Sequence, residues 1–149
     1  MPLTSYTWHA VTVAQAKLAL ATGDLDAART ASDRMRGLVQ ARGSDAPAGQ
    51  ALFVEIVSAE VCARGGKWDC TDALRGRVAS MQASGSGTVE LHLGALLLAE
   101  ATIRGTGATV DACRVVKQEL GVLTPQAPPF ATHMFDRKRL SQTPCVVPR

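Results

Sequence analysis

Aromatic side chains are scarce: two tryptophans, one tyrosine and three phenylalanines in 149 residues. A β-sandwich core draws on β-branched and aromatic residues, so the shortage argues against one. Charge of one sign is lacking too. The net charge is +3 and the sequence pI about 8.9, too mild for the concentrated basic face that nucleic-acid binding uses. The basic run DRKR at 136–139 stands without interleaved aromatics, so a nucleic-acid partner is not expected. The longest apolar run, LGALLLA at 93–99, is far short of the ~20 residues of a membrane span. No basic-then-apolar leader stands before the first helical segment.

The usual signatures of chemistry are missing as well. Cys62, Cys70, Cys113 and Cys145 form no CxxC pair, and structural zinc takes paired ligands at short spacing. His9, His92 and His133 lie in no HExxH or nucleophile context. The GSGT at 85–88 lacks the lysine and the preceding strand of a phosphate loop. The chain therefore reads as a non-enzyme, with no cofactor and no metal.

What is present is a helical composition. Hydrophobic residues make up 46% and charged residues 19%, and alanine and leucine dominate the apolar set. A chain of this length buries roughly two thirds of its unfolded surface, enough for one packed core. Glycine-rich breaks recur at TGD (22–24), RGSDAP (42–47), RGGK (64–67), SGSG (84–87) and RGTGAT (104–109). Between them lie six segments without internal proline that read as helices: 6–21, 25–41, 47–63, 70–83, 89–103 and 110–120, the last stopping at Gly121. Expected inward positions are Trp8, Val11, Ala14, Leu18 and Ala21 in the first, Leu25, Ala28, Ala31, Met35 and Leu38 in the second, and Leu52, Phe53, Ile56, Val57 and Ala59 in the third. The fourth contributes Ala73, Leu74, Val78 and Met81.

One tetrapeptide recurs. Asp-Ala-x-Arg begins at Asp26, Asp72 and Asp111, 46 and 39 residues apart. Each copy follows a glycine turn, where Asp24, Asp69 and Thr109 are expected to cap a helix start. The motif's own aspartate suits the positive end of the helix dipole, and its arginine three positions on can pair with it. The segments before the turns align as well, with AEVCARG (59–65) matching AEATIRG (99–105). A period of this size marks stacked αα-hairpins.

ALATGDLDAARTA (19–31) resembles the turn and second-helix start of the tetratricopeptide-repeat superfamily, and the likeness covers about 8–121. It is similar to the divergent repeats of bacterial regulators and signalling proteins. The steps are longer than the usual repeat, the first-helix aromatics are missing and no proline closes each unit. The resemblance implies an all-α solenoid of three hairpins, about 6–41, 47–83 and 89–120, in a repeat domain over 1–121. The tail 122–149 is expected to cap it, with Phe130, Met134 and Phe135 of a short helix covering the last hairpin and TPCVVPR extended; the alternative is a peptide-like tail that docks elsewhere, on another subunit. It also implies a protein-interaction or sensor module that binds a peptide or protein on its first helices, as part of a larger bacterial regulator.

Aligning Ala16, Ala59 and Ala99 makes His9 and His92 equivalent, and sets Thr12 and Gln15 against Glu55 and Ser58. His9, Thr12, Gln15, Glu55, Ser58 and His92 are the candidate binding stripe. Cys62 and Cys70 flank one turn closely enough to permit a disulfide, and Cys113 falls at a small core position. Thiols in a cytoplasmic protein are the simpler expectation; the alternative is a periplasmic or extracellular helical protein held by disulfides. A self-assembling structural protein is the third reading, with a homo-oligomer as its mark.

Overall fold

The computed structural model describes residues 5–85, 88–107 and 109–126, together with Arg139, Thr143 and Cys145; the side chains of 5–9 and 124–126 lie outside that description. All regular structure among these residues is helical. The helices are α1 (Ser5–Thr22), α2 (Leu25–Arg42), α3 (Ala48–Arg64), α4 (Asp72–Ala83), α5 (Val89–Thr106) and α6 (Val110–Gln126), with one 3-10 turn at Gly43–Asp45.

Sequence neighbours pair as α1–α2, α3–α4 and α5–α6, and successive pairs meet through α2 on α3 and through α3 and α4 on α5. The first and third pairs turn on left-handed glycines, Gly23 at φ 80° and Gly107 at φ 101°, a backbone region that other residues enter at a cost. The caps differ in kind. Asp24 accepts from the Ala27 amide and Thr109 from the Ala112 amide. Asp69, expected to cap α4, lies three residues before that helix, which begins at Asp72 without a side-chain cap. The three Asp-Ala-x-Arg copies each make the intrahelical ion pair, at 3.4, 3.8 and 2.7 Å, all of them solvent-exposed.

The core centres on α3 and α5, which bury Leu52, Val54, Ile56, Val57, Leu96 and Leu97 against Met35 of α2 and Leu74 of α4. Phe53 and Ala59 are buried as expected, as are Ala28 and Ala31, whereas Leu25 and Leu38 are half-buried and Ala73 is exposed. Gly94 marks the closest helix approach: a Cβ there would stand 2.8 Å from Val78 Cγ2.

Two further expectations need correction. The α1 stripe of Val11, Ala14, Leu18 and Ala21 faces outward, with Leu18 66% exposed, and the buried arc is Thr12, Ala16, Ala19 and Leu20. That helix carries small apolar residues on most sides, so periodicity alone selects no face. Gly121 does not stop α6, which runs to Gln126. Leu123, 1% exposed, gains enough by burial to offset the ~1 kcal/mol that an interior glycine costs relative to alanine. Trp8's side chain, and Phe130, His133, Met134 and Phe135 of the tail, lie outside the described residues.

Candidate functional site

The aligned stripe does not converge on one surface. His9's side chain is outside the description. Thr12 is 2% exposed and packs inside. Gln15 borders the groove between α1 and α2, beside Leu18 and Thr30. Glu55 and Ser58 come together, but toward α2: Arg36 Nη2 donates to both Glu55 oxygens at 3.3 Å and to Ser58 Oγ at 2.9 Å. Ser32 joins them through a 2.8 Å contact with the Ser58 hydroxyl. This network lines an open cleft of roughly 370 Å³ that also borders Cys62, Cys70 and Asp69. His92 turns to α6, where its Nδ1 meets Glu119. Glu55, Ser58 and His92, expected on one shared face, turn to neighbouring helices instead.

The first helices do share a different groove. Ala10, Val13 and Lys17 of α1, Phe53 of α3 and Glu90 of α5 line a space of roughly 560 Å³. Lys17 lies over the Phe53 ring at 5.8 Å. Two helical turns along α3 from Phe53, on the same face, is Glu60.

Glu60 opens the most unusual constellation in the molecule. It and Glu100 are 0% and 1% exposed, and both address one guanidinium, that of Arg139. Arg139 Nε and Nη2 donate to Glu100 at 2.7 and 3.0 Å; Nη2 and Nη1 donate to Glu60 at 2.8 and 3.2 Å. Each carboxylate thus takes one edge of the planar fork, the geometry that arginine offers and lysine does not. Arg64 adds a bond from Nε to Glu60 at 3.1 Å and ties α3 to α1 through the Leu20 carbonyl at 2.6 Å. Trp68, in the loop after α3, has the Arg139 and Arg104 guanidinium carbons 5.3 and 5.8 Å from its ring.

The electrostatics follow from burial. Loss of water pushes the Glu60 carboxyl above its usual range, and the hydrogen bonds and charges of Arg139 and Arg64 offset this only in part. Burial pulls Arg139 the other way, but its bonds to Glu100 and Glu60 outweigh that and raise it above the ordinary arginine value. Arg139 is therefore a permanent cation between two carboxylates with no access to water.

Nearby, Cys62 and Cys70 form a disulfide across the α3–α4 turn, with Cα atoms 6.2 Å apart. Cys113, expected as a small core residue, sits at the core's edge and is bonded to Cys145, with Cα atoms 5.2 Å apart. Among the described residues no three His, Cys, Asp or Glu side chains gather as a metal site, and no helix is long and apolar enough to cross a membrane. Glu60 and Glu100 were visible in the sequence as the equivalent residues of AEVCARG and AEATIRG. Their convergence on a residue from the tail was not. No protein family, curated protein or solved structure matches the chain.

Proposed function

We propose that the chain is a tetratricopeptide-like solenoid that binds an extended peptide segment of a partner protein along its first helices, α1, α3 and α5. One observation carries this reading: the scaffold already seats a piece of polypeptide from outside the repeats, with Arg139 lodged between repeat-equivalent side chains of α3 and α5. The groove lined by all three first helices supports it, because it offers apolar and charged contacts on the Phe53 face of α3. The two disulfides, which use all four cysteines, favour a working place in an oxidising compartment over the cytoplasm.

The test is selection of a displayed random 16-residue peptide library against the oxidised full chain. Enriched peptides should lose binding when Lys17 or Phe53 is replaced by alanine. If no peptide is enriched above the chain-free control, the reading is abandoned. Concentration-dependent self-association without peptide binding would favour a structural assembly instead.

A further inference from the structure

Arg139, Thr143 and Cys145 fasten the end of the chain to two repeats at once. Arg139 fills the space between α3 and α5, Thr143 is fully buried with its hydroxyl donating to the Arg139 carbonyl at 3.4 Å, and Cys145 is bonded to Cys113 of α6. These anchors differ in chemistry. The ion pairs form and break unaided, whereas the disulfide opens only to a reductant.

A buried acidic pair alone would mark nothing. Here an independent observation accompanies it: the pair holds a guanidinium supplied from 79 and 39 residues away in sequence. The repeats' own arginines do not fill that place. Arg64 takes one Glu60 oxygen and turns to Leu20, while Arg104 faces Trp68 and donates to the Arg139 carbonyl at 3.1 Å. The space between the carboxylates is filled by the fork of a residue that lies outside α1–α6.

We propose that Glu60, Glu100 and Trp68 form a receptor for an arginine side chain of the partner peptide, that Arg139 occupies it in cis, and that the Cys113–Cys145 disulfide controls the exchange. This rests on the peptide-binding reading above and names its ligand. With the disulfide closed, Arg139 is only six residues from a covalent anchor, and its effective concentration over the receptor exceeds that of a free peptide. A dithiol reductant opens the device. One thiolate attacks the disulfide to give a mixed disulfide with one cysteine and release the other. The second thiol then displaces the remaining cysteine and closes the reductant's own disulfide. Two electrons and two protons pass to Cys113 and Cys145, which end as thiols. Arg139 then competes with the partner's arginine while held from one side only, through the 13 residues that lead back to Gln126 of α6.

Fluorescence anisotropy with a labelled synthetic peptide, acetyl-DRKRLSQT-amide, tests this on full-length chains. The peptide should bind the Cys113→Ser/Cys145→Ser chain at least tenfold more tightly than the oxidised wild type. Replacing the peptide's Arg139 equivalent by lysine, or Glu100 by glutamine in the double-serine chain, should each weaken binding at least tenfold. Equal binding to the two chains removes the disulfide control, and indifference to the lysine replacement removes the guanidinium receptor. If library peptides bind while this one does not, the inference falls and the peptide-binding reading stands; if none binds, both fall. Dithiothreitol-treated wild type provides the second route should the double-serine chain fail to fold. If circular dichroism shows that reduction also unfolds the chain, the bond is a staple and the proposal is overturned.

Discussion

Replacing Arg139 by alanine removes four hydrogen bonds of 2.7 to 3.2 Å from two carboxylates shut off from water. The screening that makes surface ion pairs nearly worthless does not apply, since the partners are 11%, 0% and 1% exposed. Glu60 keeps Arg64, but among the described residues both Glu100 oxygens bond Arg139. Stranding one partner of a buried pair costs about 3–5 kcal/mol. For a domain whose whole stability is about 5–15 kcal/mol, that is a large share. It corresponds to a melting-temperature fall of roughly 6–20 °C at this size. With both glutamates replaced, removing the arginine leaves no buried carboxylate without a partner, so Arg139→Ala in a Glu60→Gln/Glu100→Gln background should cost under about 2 kcal/mol. Urea unfolding followed by far-UV circular dichroism measures all four chains. Arg29→Ala, which breaks a pair 62% and 96% exposed, supplies the control at a few tenths of a kcal/mol. An Arg139→Ala cost below about 1 kcal/mol, or no coupling to the glutamates, would refute the reasoning.

Other outcomes follow from the packing, the cysteines and the raised carboxyl. Gly94→Ala should lower stability by about 1–3 kcal/mol, although alanine otherwise favours helices, because the new methyl meets Val78 Cγ2 at 2.8 Å; a raised melting temperature would contradict that close approach. The two disulfides close stretches of 32 and 8 residues, so chain entropy ranks them at about 3.7 and 2.5 kcal/mol. Cys113→Ser/Cys145→Ser should therefore melt below Cys62→Ser/Cys70→Ser, and the reverse order would count against the ranking. Glu60 is raised in the folded chain, so its contribution to stability is full below its unfolded-state pKa and is lost as pH rises through the folded one. The stability of Glu60→Gln relative to wild type should accordingly improve as pH rises through that window. Urea titrations at several pH values giving a flat difference would show that the shift is absent.

Much of the helical layout was legible because glycine punctuates it. The breaks at Gly23, Gly43, Gly66, Gly85 and Gly107 adopt positive φ, and the helices fall between them. The inward faces of α2 and α3 were legible as well, since Met35, Leu52, Ile56 and Val57 stand at helical spacing. In α1, by contrast, two small-residue arcs compete, and contact with α2 decides between them. At Gly121 local propensity lost to the burial of Leu123 two residues later. Alignment could set Glu55 and Ser58 against Thr12 and Gln15, and His92 against His9, but could not say which neighbour each faces; Arg36 and Glu119 decide that from other helices. Arg139 was the least legible residue, because a contact spanning 79 positions leaves no trace in periodicity.

That span also sets an order in time. Each hairpin closes over a short turn, which costs little loop entropy, whereas seating Arg139 against Glu60 must wait for α3 and α5 to meet. Until then the two glutamates share a half-built, hydrated space, and a chain made from its first residue onward completes both of them before the arginine exists. The last step of folding is therefore the entry of one side chain, and the first step of unfolding is its departure. Stopped-flow chevrons should show Arg139→Ala speeding unfolding while leaving the folding limb almost unmoved; a slowed folding limb would mean that the end of the chain arrives early. In that order, the side chain that is seated last is the one that makes the fold persist.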